Sequence, residues 1–417
     1  MAAPGLSASY VRPAPTIACA LQNVLRGSKK SLRGVSVVEV GIAPRGVAGN
    51  VPSSSQDSSM GPSERMSRRG FYMEQECRGW SMRSSSRGMR VQASAAAVET
   101  AESPKLRTGT WTWPHEGNSL NINYVEFGSQ EGSAQETLLL LPTLSDVSTT
   151  EEWYAVAEEL VAKVGPGKRR AVVVDWPGLG LSDRPALEYT VDVLEKFLVD
   201  FVTAANGPLA GVQGESLVVI GGGHAATIAV RAVSKGLINA KSLAAVAPTW
   251  SGPLPIVFGR SPTMESRYGL LRGTLRSPGV GWAMYKYLVS SPKNIRMQYL
   301  THVYSDAENV TPAMVENRTA LTQRDGARFA PAAFLTGLLD PALTREEFLS
   351  MFAQLDGKVP VLVLSTLKAP RRSRAEMEAL EGVKGVTKFE KLRGALLPQE
   401  EFPEDVAASL AAFLQEV

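Results

Sequence analysis

Cysteine and histidine are the scarcest reactive residues in this sequence. Its 417 residues include two cysteines, Cys19 and Cys77, and three histidines, His115, His224 and His302. No cysteine follows Cys77, which excludes a disulfide, a thiolate metal site or a cysteine nucleophile from the remaining chain. No histidine follows His302, so a C-terminal catalytic imidazole is excluded too.

Long apolar runs are also missing. The longest uncharged stretch, 242–259, contains Pro248, Pro253 and Pro255, which interrupt the continuous helix that a bilayer core demands. We therefore expect no transmembrane segment. Gly221-Gly222-Gly223 lacks the Lys-Ser/Thr continuation of a phosphate-binding loop, and no metal-ligand spacing occurs. The sequence accordingly predicts neither a cofactor nor a metal.

The charges divide the chain into two parts of opposite sign. Residues 1–95 carry 13 Lys or Arg against 5 Asp or Glu, a net charge of +8. The remaining 31 basic and 36 acidic residues give −5. Because the second part is mildly acidic, a nucleic-acid partner is not expected.

The basic segment 1–95 has the composition of an organelle transit peptide. It is rich in Ser, Ala and Gly, lacks a sustained apolar period, and reaches a plausible cleavage site near Ala93. Its long Ser-rich stretch, without an Arg-studded amphipathic helix at the start, favours the plastid stroma over the mitochondrion. A disordered regulatory tail and a nucleic-acid-binding arm are the alternatives.

Strand and helix patterns alternate from about residue 108. Short apolar runs typical of buried strands are separated by segments with apolar residues at helical spacing. After Thr149-Thr150, which can cap a helix, Trp153 begins an apolar stripe that Gly165 ends. The pattern predicts an α/β fold whose mainly parallel sheet has helices on both faces. The predicted strands are 110–113, 120–127, 137–141, 171–174, 217–220, 243–246 and 361–364.

The mature chain, 96–417, is interpreted as one domain with an insertion. Between the strands predicted at 243–246 and 361–364, the segment of about 251–340 has helical and loop patterns but no clear strand. We interpret it as a helical cap over the carboxyl edge of the sheet, where ligands of open α/β folds bind. A terminal helix is expected to start near Pro403.

Two segments carry a resemblance to the α/β-hydrolase superfamily of the AB hydrolase-1 type. One is Asp175-Trp176-Pro177-Gly178-Leu179-Gly180-Leu181-Ser182-Asp183-Arg184-Pro185, and the other is Val218-Val219-Ile220-Gly221-Gly222-Gly223-His224-Ala225-Ala226. The resemblance spans about 110–417 and looks closest to a plastid-targeted branch with pheophytinase-like proteins. It implies an α/β-hydrolase fold with a strand-to-helix elbow that presents a nucleophile.

The resemblance also shows which catalytic side chains are missing. The nucleophile position is Gly223, which has no side chain. The acid position is Ala369, with no Asp or Glu anywhere in 357–374, and the base position is Ala395 after Gly394. The triad is therefore degenerate, and no catalytic residue is intact.

The remaining pocket candidates lie on loops that follow strands. Pro142-Thr143 replaces the His-Gly pair that helps to shape the oxyanion hole, and Gly222 precedes the nucleophile position. His224 either binds a ligand or acts as a lone acid or base, or it is a packed histidine. Ser145 with Asp146 is either a displaced nucleophile pair or a capping pair. The other pocket candidate, Trp250, forms an apolar wall or is core.

Two functions follow from these positions. The first is a non-catalytic member of the superfamily that binds a small apolar molecule or a protein partner. The second is a plastid ester or lipid hydrolase with a rearranged site that uses His224 or Ser145. Fold resemblance by itself does not decide between them.

Overall fold

The computed structural model describes residues 106–128, 134–164 and 167–417. The transit-peptide prediction for 1–95, the cleavage site near Ala93 and the helix end at Gly165 all fall outside these residues. None of the helices in the described ranges is long and apolar enough to cross a bilayer.

An eight-stranded mixed sheet organises the described residues, in the order β1-β2-β4-β3-β5-β6-β7-β8. β1 pairs antiparallel with β2, and β2 pairs antiparallel with β4. Every pairing from β4 onwards is parallel, which requires crossovers between the strands. The strands are β1 Arg107–His115, β2 Asn118–Gly128, β3 Glu136–Leu141, β4 Arg169–Val174, β5 Gly214–Gly222, β6 Ala240–Val246, β7 Val361–Thr366 and β8 Lys388–Leu392.

Helices cover both faces of this sheet. α1 (Tyr154–Ala162) and α13 (Pro403–Glu416) pack on one face, and α2 (Val191–Thr203) and α3 (Gly223–Ser234) pack on the other. In β3, Leu138 packs in the core under α1 and α13, and Leu139 packs in the core under α2 and α3, because successive side chains of a strand point to opposite faces. This double coverage explains why the central strands are continuous apolar runs.

The stretch between β6 and β7 contains helices and no strand. It corresponds to the segment of about 251–340 interpreted as a cap. Several of its helices begin with a serine or threonine N-cap followed by proline, a combination that favours helix starts. The helices are α4 Pro253–Phe258, α5 Pro262–Arg276, α6 Val280–Met284 with a π-helical turn Tyr285–Val289, α7 Pro292–Gln298 with a π-helical turn Tyr299–Val303, α8 Pro312–Thr322 and α9 Phe329–Leu335.

Three short helices complete the C-terminal third: α10 Arg345–Ala353, α11 Arg371–Glu378 and α12 Pro398–Glu401. The strand β8 was not predicted from the sequence. It is an edge strand whose side chains are only half-buried and mostly charged, so it lacks the apolar run that marked the central strands.

Threonine caps behave differently at two helix starts. Thr190 caps α2, since its hydroxyl accepts a hydrogen bond from the N–H of Val193 at 3.2 Å. The expectation that Thr149-Thr150 caps a helix by its side chains is wrong. Thr149 precedes a 3-10 turn, Thr150–Trp153, without a side-chain cap, and the N–H of Thr150 donates to Asp175.

The loop after β4 is held by the buried side chain of Asp175. Its Oδ2 accepts from the N–H of Leu181 at 2.8 Å and from Asn123 Nδ2 at 2.8 Å. A Cβ on Gly180, which has a φ of 52°, would lie 2.1 Å from Asp175 Cγ. Only glycine fits there, which gives a physical reason for the Gly-x-Gly spacing of this loop.

Candidate functional site

The turn between β5 and α3 is a tight elbow. Gly223 begins α3 with a φ of 55°, in the left-handed region that side chains rarely adopt. A Cβ on Gly221 would lie 2.6 Å from the Cα of Ala226, so the helix passes too close for a side chain there. A Cβ on Gly223 would meet Thr143 Cγ2 at 3.3 Å and Thr249 Oγ1 at 3.5 Å, which is nearly ordinary contact. The elbow therefore faces two threonines with no functional group of its own.

The positions assigned to the acid and the base are packed alanines. Ala369 follows β7, is 5% exposed and packs with Ala247 and Met377. Ala395 follows β8 and is 1% exposed. A methyl group accepts no proton, so neither position can assist a nucleophile.

Thr143, on the loop after β3, is bonded to the buried carboxyl group of Glu152. Its N–H donates to Glu152 Oε2 at 2.8 Å, and its hydroxyl donates to Oε1 at 3.0 Å. The Gln399 amide lies on the same carboxyl group, with Nε2 3.4 Å from Oε2. Gln399 also covers the elbow, since a Cβ on Gly222 would lie 2.8 Å from its Nε2. The loop that shapes an oxyanion hole in serine hydrolases thus faces an acid.

Burial, together with the negative charge of the nearby Glu400, raises the pKa of Glu152 to about 7. Glu400 itself is paired with Arg318, a 3% exposed side chain of α8 that also contacts Glu151 at 3.0 Å. This network ties the helical insertion to the loop that holds Glu152. Near neutral pH the carboxyl group of Glu152 is therefore partly ionised beside the elbow.

His224 is buried and connects a hydroxyl to a carboxylate. Its Nδ1 lies 2.7 Å from Thr249 Oγ1, and its Nε2 lies 3.4 Å from Asp340 Oδ1. The second contact is electrostatic, because Nε2 makes no hydrogen bond within the described residues. Asp340 also pairs with Arg260 and accepts the N–H of Gly252 at 2.9 Å. The tautomer with its proton on Nε2 would direct that proton towards the carboxylate and leave Nδ1 to accept from Thr249.

Ser145 and Asp146 are not joined to a base. Ser145 Oγ lies 3.0 Å from Ser148 Oγ and accepts the N–H of Val147, as in a loop turn. Asp146 is 9% exposed, and burial raises its pKa to about 6. The displaced nucleophile interpretation of this pair therefore has no support from its contacts.

Pro142 and Trp250, on the loops after the two strands that flank β5, both make structural contacts. The Pro142 carbonyl accepts from Trp176 Nε1 at 2.8 Å. The Trp250 indole packs on Phe348, with ring centroids 6.2 Å apart, and donates to Glu376 at 3.3 Å. Trp250 thus faces α10 and α11, and we interpret it as core.

A cavity of about 650 Å³ lies away from the elbow, between the β1–β2 hairpin turn, the loop after β4 and residues 324–329. Its lining includes Ser119, Arg184 and Phe329, and none of the residues around Gly223. Elsewhere, no group of three or more His, Cys, Asp or Glu side chains within the described residues could hold a metal.

Four residues at the elbow escaped sequence reasoning: Glu152, Thr249, Asp340 and Gln399. Two of them have a sequence context that could have identified them as buried acids. Glu152 stands next to Trp153 at the start of an apolar stripe, and Asp340 follows the apolar pair Leu338-Leu339. An acid in such a context is a candidate for burial.

Comparisons with known proteins agree with this architecture. The model of the alpha/beta hydrolase family matches residues 138–409. None of the curated proteins matches the chain.

Solved structures match most of the chain at low identity. A serine hydrolase involved in carbazole degradation has 15% identity and a TM-score of 0.51, covering 75% of this chain and 100% of that one. Cfl2 from Burkholderia cenocepacia has 19% identity and a TM-score of 0.52, covering 73% and 95%. A thermophilic esterase from Thermogutta terrifontis has 17% identity and a TM-score of 0.52, covering 74% and 98%. At these identities the likeness shows the fold alone.

Proposed function

We propose that this chain, which belongs to the alpha/beta hydrolase family, is a non-catalytic member that works in the plastid and binds a small apolar molecule or a protein partner. The observation that carries the proposal is Gly223. The elbow keeps the left-handed backbone that presents a nucleophile, and it presents none. The backbone geometry of the elbow is therefore retained at this position without the nucleophile side chain.

The chemical requirements of acyl transfer support this reading. A serine needs an imidazole to take its proton and a carboxylate to orient the ring. Ala369 and Ala395 supply neither. Removing the serine or the histidine from a serine hydrolase lowers turnover about a millionfold.

Glu152 opposes the remaining contribution, the stabilisation of an oxyanion. Oxyanion holes work because preorganised N–H groups point at the developing negative charge. Here one N–H of the corresponding loop, that of Thr143, is already bonded to Glu152, and a second negative charge would be repelled by the ionised carboxylate. The pKa of Glu152, about 7, keeps a large fraction ionised at neutral pH and above.

A fluorophosphonate probe and a panel of short and long acyl esters test the proposal on the purified protein. We expect no stoichiometric labelling and no ester turnover above the rate in buffer. Labelling of the wild-type protein that disappears in one substituted variant would contradict a non-catalytic role.

A second candidate is an ester or lipid hydrolase that uses Thr249 as the nucleophile. The favouring observation is the chain of contacts from Thr249 through His224 to Asp340, at 2.7 and 3.4 Å. Thr249 Oγ1 also lies 3.5 Å from where a nucleophile's Cβ would stand on Gly223. The contacts of Thr249 favour it over Ser145 as the nucleophile of such a rearranged site.

The variants Thr249→Val and His224→Gln separate the two candidates. Loss of probe labelling in both variants would establish the relay, whereas Ser145→Ala serves as the control that leaves it unchanged. If wild-type and all three variants remain unlabelled, the non-catalytic role stands.

The plastid location rests on the composition of residues 1–95. Its test is a fusion of this segment to a fluorescent protein, with import into isolated chloroplasts and mitochondria compared. We expect import and cleavage in chloroplasts. Retention outside both organelles would favour the disordered-tail alternative and remove the location from the proposal.

A further inference from the structure

The exposed surface of the first half of the helical insertion is rich in apolar and basic side chains. Eleven large apolar side chains are exposed in the described residues, and six of them fall within 257–288. They occupy α4, α5, α6 and the π-helical turn after α6. The six are Val257, Leu270, Val280, Trp282, Tyr287 and Leu288, with exposed fractions of 40%, 74%, 63%, 48%, 66% and 39%.

The buried sides of these helices explain where the exposed residues point. Tyr268 and Leu271 of α5 share one core cluster with Tyr285 and Val289 of the turn after α6. A helix has one face towards its core, so Leu270 and the other exposed residues lie on the sides away from that cluster. Large exposed apolar residues concentrated in one segment in this way are typical of interaction sites in soluble proteins.

The same segment concentrates positive charge. Residues 253–304 contain seven Lys or Arg and one acid, Glu265, a net charge of +6. Since residues 96–417 have a net charge of −5, the part of this range outside the segment has a net charge of −11. Positive charge is therefore concentrated in the first half of the insertion of an otherwise acidic domain.

Most of these positive charges have no carboxylate partner within the described residues. Arg260 is the exception, paired with Glu265 and Asp340. Arg272 donates to a hydroxyl group, and Arg276 donates to carbonyl groups and lies over the Phe329 ring. Lys286 lies over the Trp282 ring at 4.6 Å. The others, Arg267, Lys293 and Arg296, are exposed and make no ion pair.

We propose that this face docks on an anionic lipid bilayer, with the exposed apolar residues in the interfacial region and the Lys and Arg side chains among the headgroups. Surfaces that bind membranes without spanning them combine Lys and Arg with Trp, Phe or Leu, as this one does. Trp282 and Tyr287 are residue types that prefer the membrane–water interface. An acidic bilayer supplies the charge that the face lacks, and the −11 remainder of the domain would face away from it.

Flotation of the full-length protein with vesicles tests the proposal. Vesicles of phosphatidylcholine with phosphatidylglycerol are compared with pure phosphatidylcholine. We expect binding to the anionic vesicles that weakens with added salt, because surface charges are screened. Each basic residue near an anionic surface contributes roughly fivefold in partitioning, so Lys286→Glu/Lys293→Glu/Arg296→Glu is expected to lower binding by about a hundredfold or more.

A matched control reverses three exposed lysines elsewhere: Lys168→Glu/Lys358→Glu/Lys384→Glu. This control has the same change in net charge. Because salt largely screens charges that lie far from the contact, we expect it to bind the anionic vesicles within about twofold of wild-type. A second variant, Leu270→Ser/Trp282→Ser, keeps every charge and should also bind less. Circular dichroism and thermal melting confirm that each variant folds.

Several results would overturn the proposal. Wild-type protein that does not float refutes it. Equal binding by wild-type and the Lys286/Lys293/Arg296 variant assigns the attraction to another segment, such as the basic residues 1–95 that all variants share. Equal loss in the matched control assigns it to net charge alone. Retention on immobilised polyglutamate without flotation would identify an acidic protein as the partner instead.

Discussion

At the elbow, backbone atoms of β5 and α3 approach so closely that only glycine fits at Gly221, whereas the outer side of α5 has open space around its two glycines. A Cβ on Gly221 would collide with backbone, while a Cβ on Gly269 or Gly273 would meet nothing within 4 Å. The fold therefore dictates the sequence at the elbow. On the outer side of α5 the fold sets no such limit.

This difference explains how an elbow can persist without a nucleophile side chain at Gly223. Gly221 is required by the distance between a strand and a helix, whatever group stands at position 223. At the nucleophile position no neighbouring atom collides with a side chain, since a Cβ there would find nearly ordinary contacts at 3.3 and 3.5 Å; the constraint comes from the backbone φ alone. Retained small residues are thus evidence for the fold, and the side chain at 223 is the evidence about chemistry.

The largest effect is expected from Gly221→Ala. The new Cβ would lie 2.6 Å from the Cα and 2.7 Å from the N of Ala226, so β5 and α3 must separate. We expect the free energy of unfolding to fall by about 3 kcal/mol or more, as in overpacked cores, measured by urea denaturation. Because the collision is with backbone, adding Ala226→Gly should not rescue stability. A rescue would show that side chains set the spacing.

The next effect concerns the charge of Glu152. Its pKa is raised in the folded protein from 4.5 to about 7, so the folded state binds more protons than the unfolded state between these values. Stability from this group is therefore present below about pH 4.5 and lost as pH rises towards 7. Glu152→Gln removes the ionisation, and we expect it to be more stable than wild-type at pH 8 by up to roughly 3 kcal/mol, but not at pH 4.5.

Thermal or urea denaturation of both proteins from pH 4.5 to 8 measures this crossover. The control is Glu188→Gln, an exposed glutamate on the loop before α2, which should follow the wild-type curve. A pH-independent difference between wild-type and Glu152→Gln would mean that the carboxyl group stays in one protonation state throughout.

The same contrast separates what the sequence could predict from what it could not. Continuous apolar runs such as Leu138–Leu141 predicted the central strands, because burial on both faces dictates composition. The edge strand Lys388–Leu392 is not fully buried, so its composition is not dictated in this way, and the sequence analysis missed it. Local patterns thus predicted the elements that the core dictates.

The side chains around Gly223 could not be predicted in the same way. Thr143, Glu152, Thr249 and Gln399 come from four separate loops and helices, and Asp340 from a fifth. Periodicity shows which face of an element is buried, but not which buried polar groups meet. Single positions of the sequence suffice to identify Gly223, Ala369 and Ala395, whereas the network around Gly223 depends on long-range contacts and was missed.

A smaller effect is expected from Gly223→Ser. A non-glycine residue at a φ of 55° costs about 1 to 2 kcal/mol, and the contacts of the new Cβ add little. The control is Gly236→Ser, at a φ of 71° with open space around it. Equal losses in urea denaturation would confirm that the backbone conformation carries the cost. A much larger loss at 223 would show that Thr143 and Thr249 close the site.

The same variant bears on the proposed function. The added hydroxyl has no imidazole at position 395, so we expect Gly223→Ser to remain unlabelled by a fluorophosphonate. Labelling would mean that His224 can serve as its base.

The smallest effect is expected on the insertion, from Gly269→Ala. Gly269 lies inside α5, and a Cβ there would meet nothing within 4 Å. Alanine reduces the backbone entropy lost on folding, so the free energy of unfolding should rise by about 0.5 to 1 kcal/mol. Gly273→Ala, in the same helix and equally open, should give a similar gain. Since the proposed membrane contact uses this outer side, vesicle flotation should be unchanged by one added methyl group. A loss of stability in either variant would mean that the outer face is covered in the folded protein, and the contrast with the elbow would no longer hold.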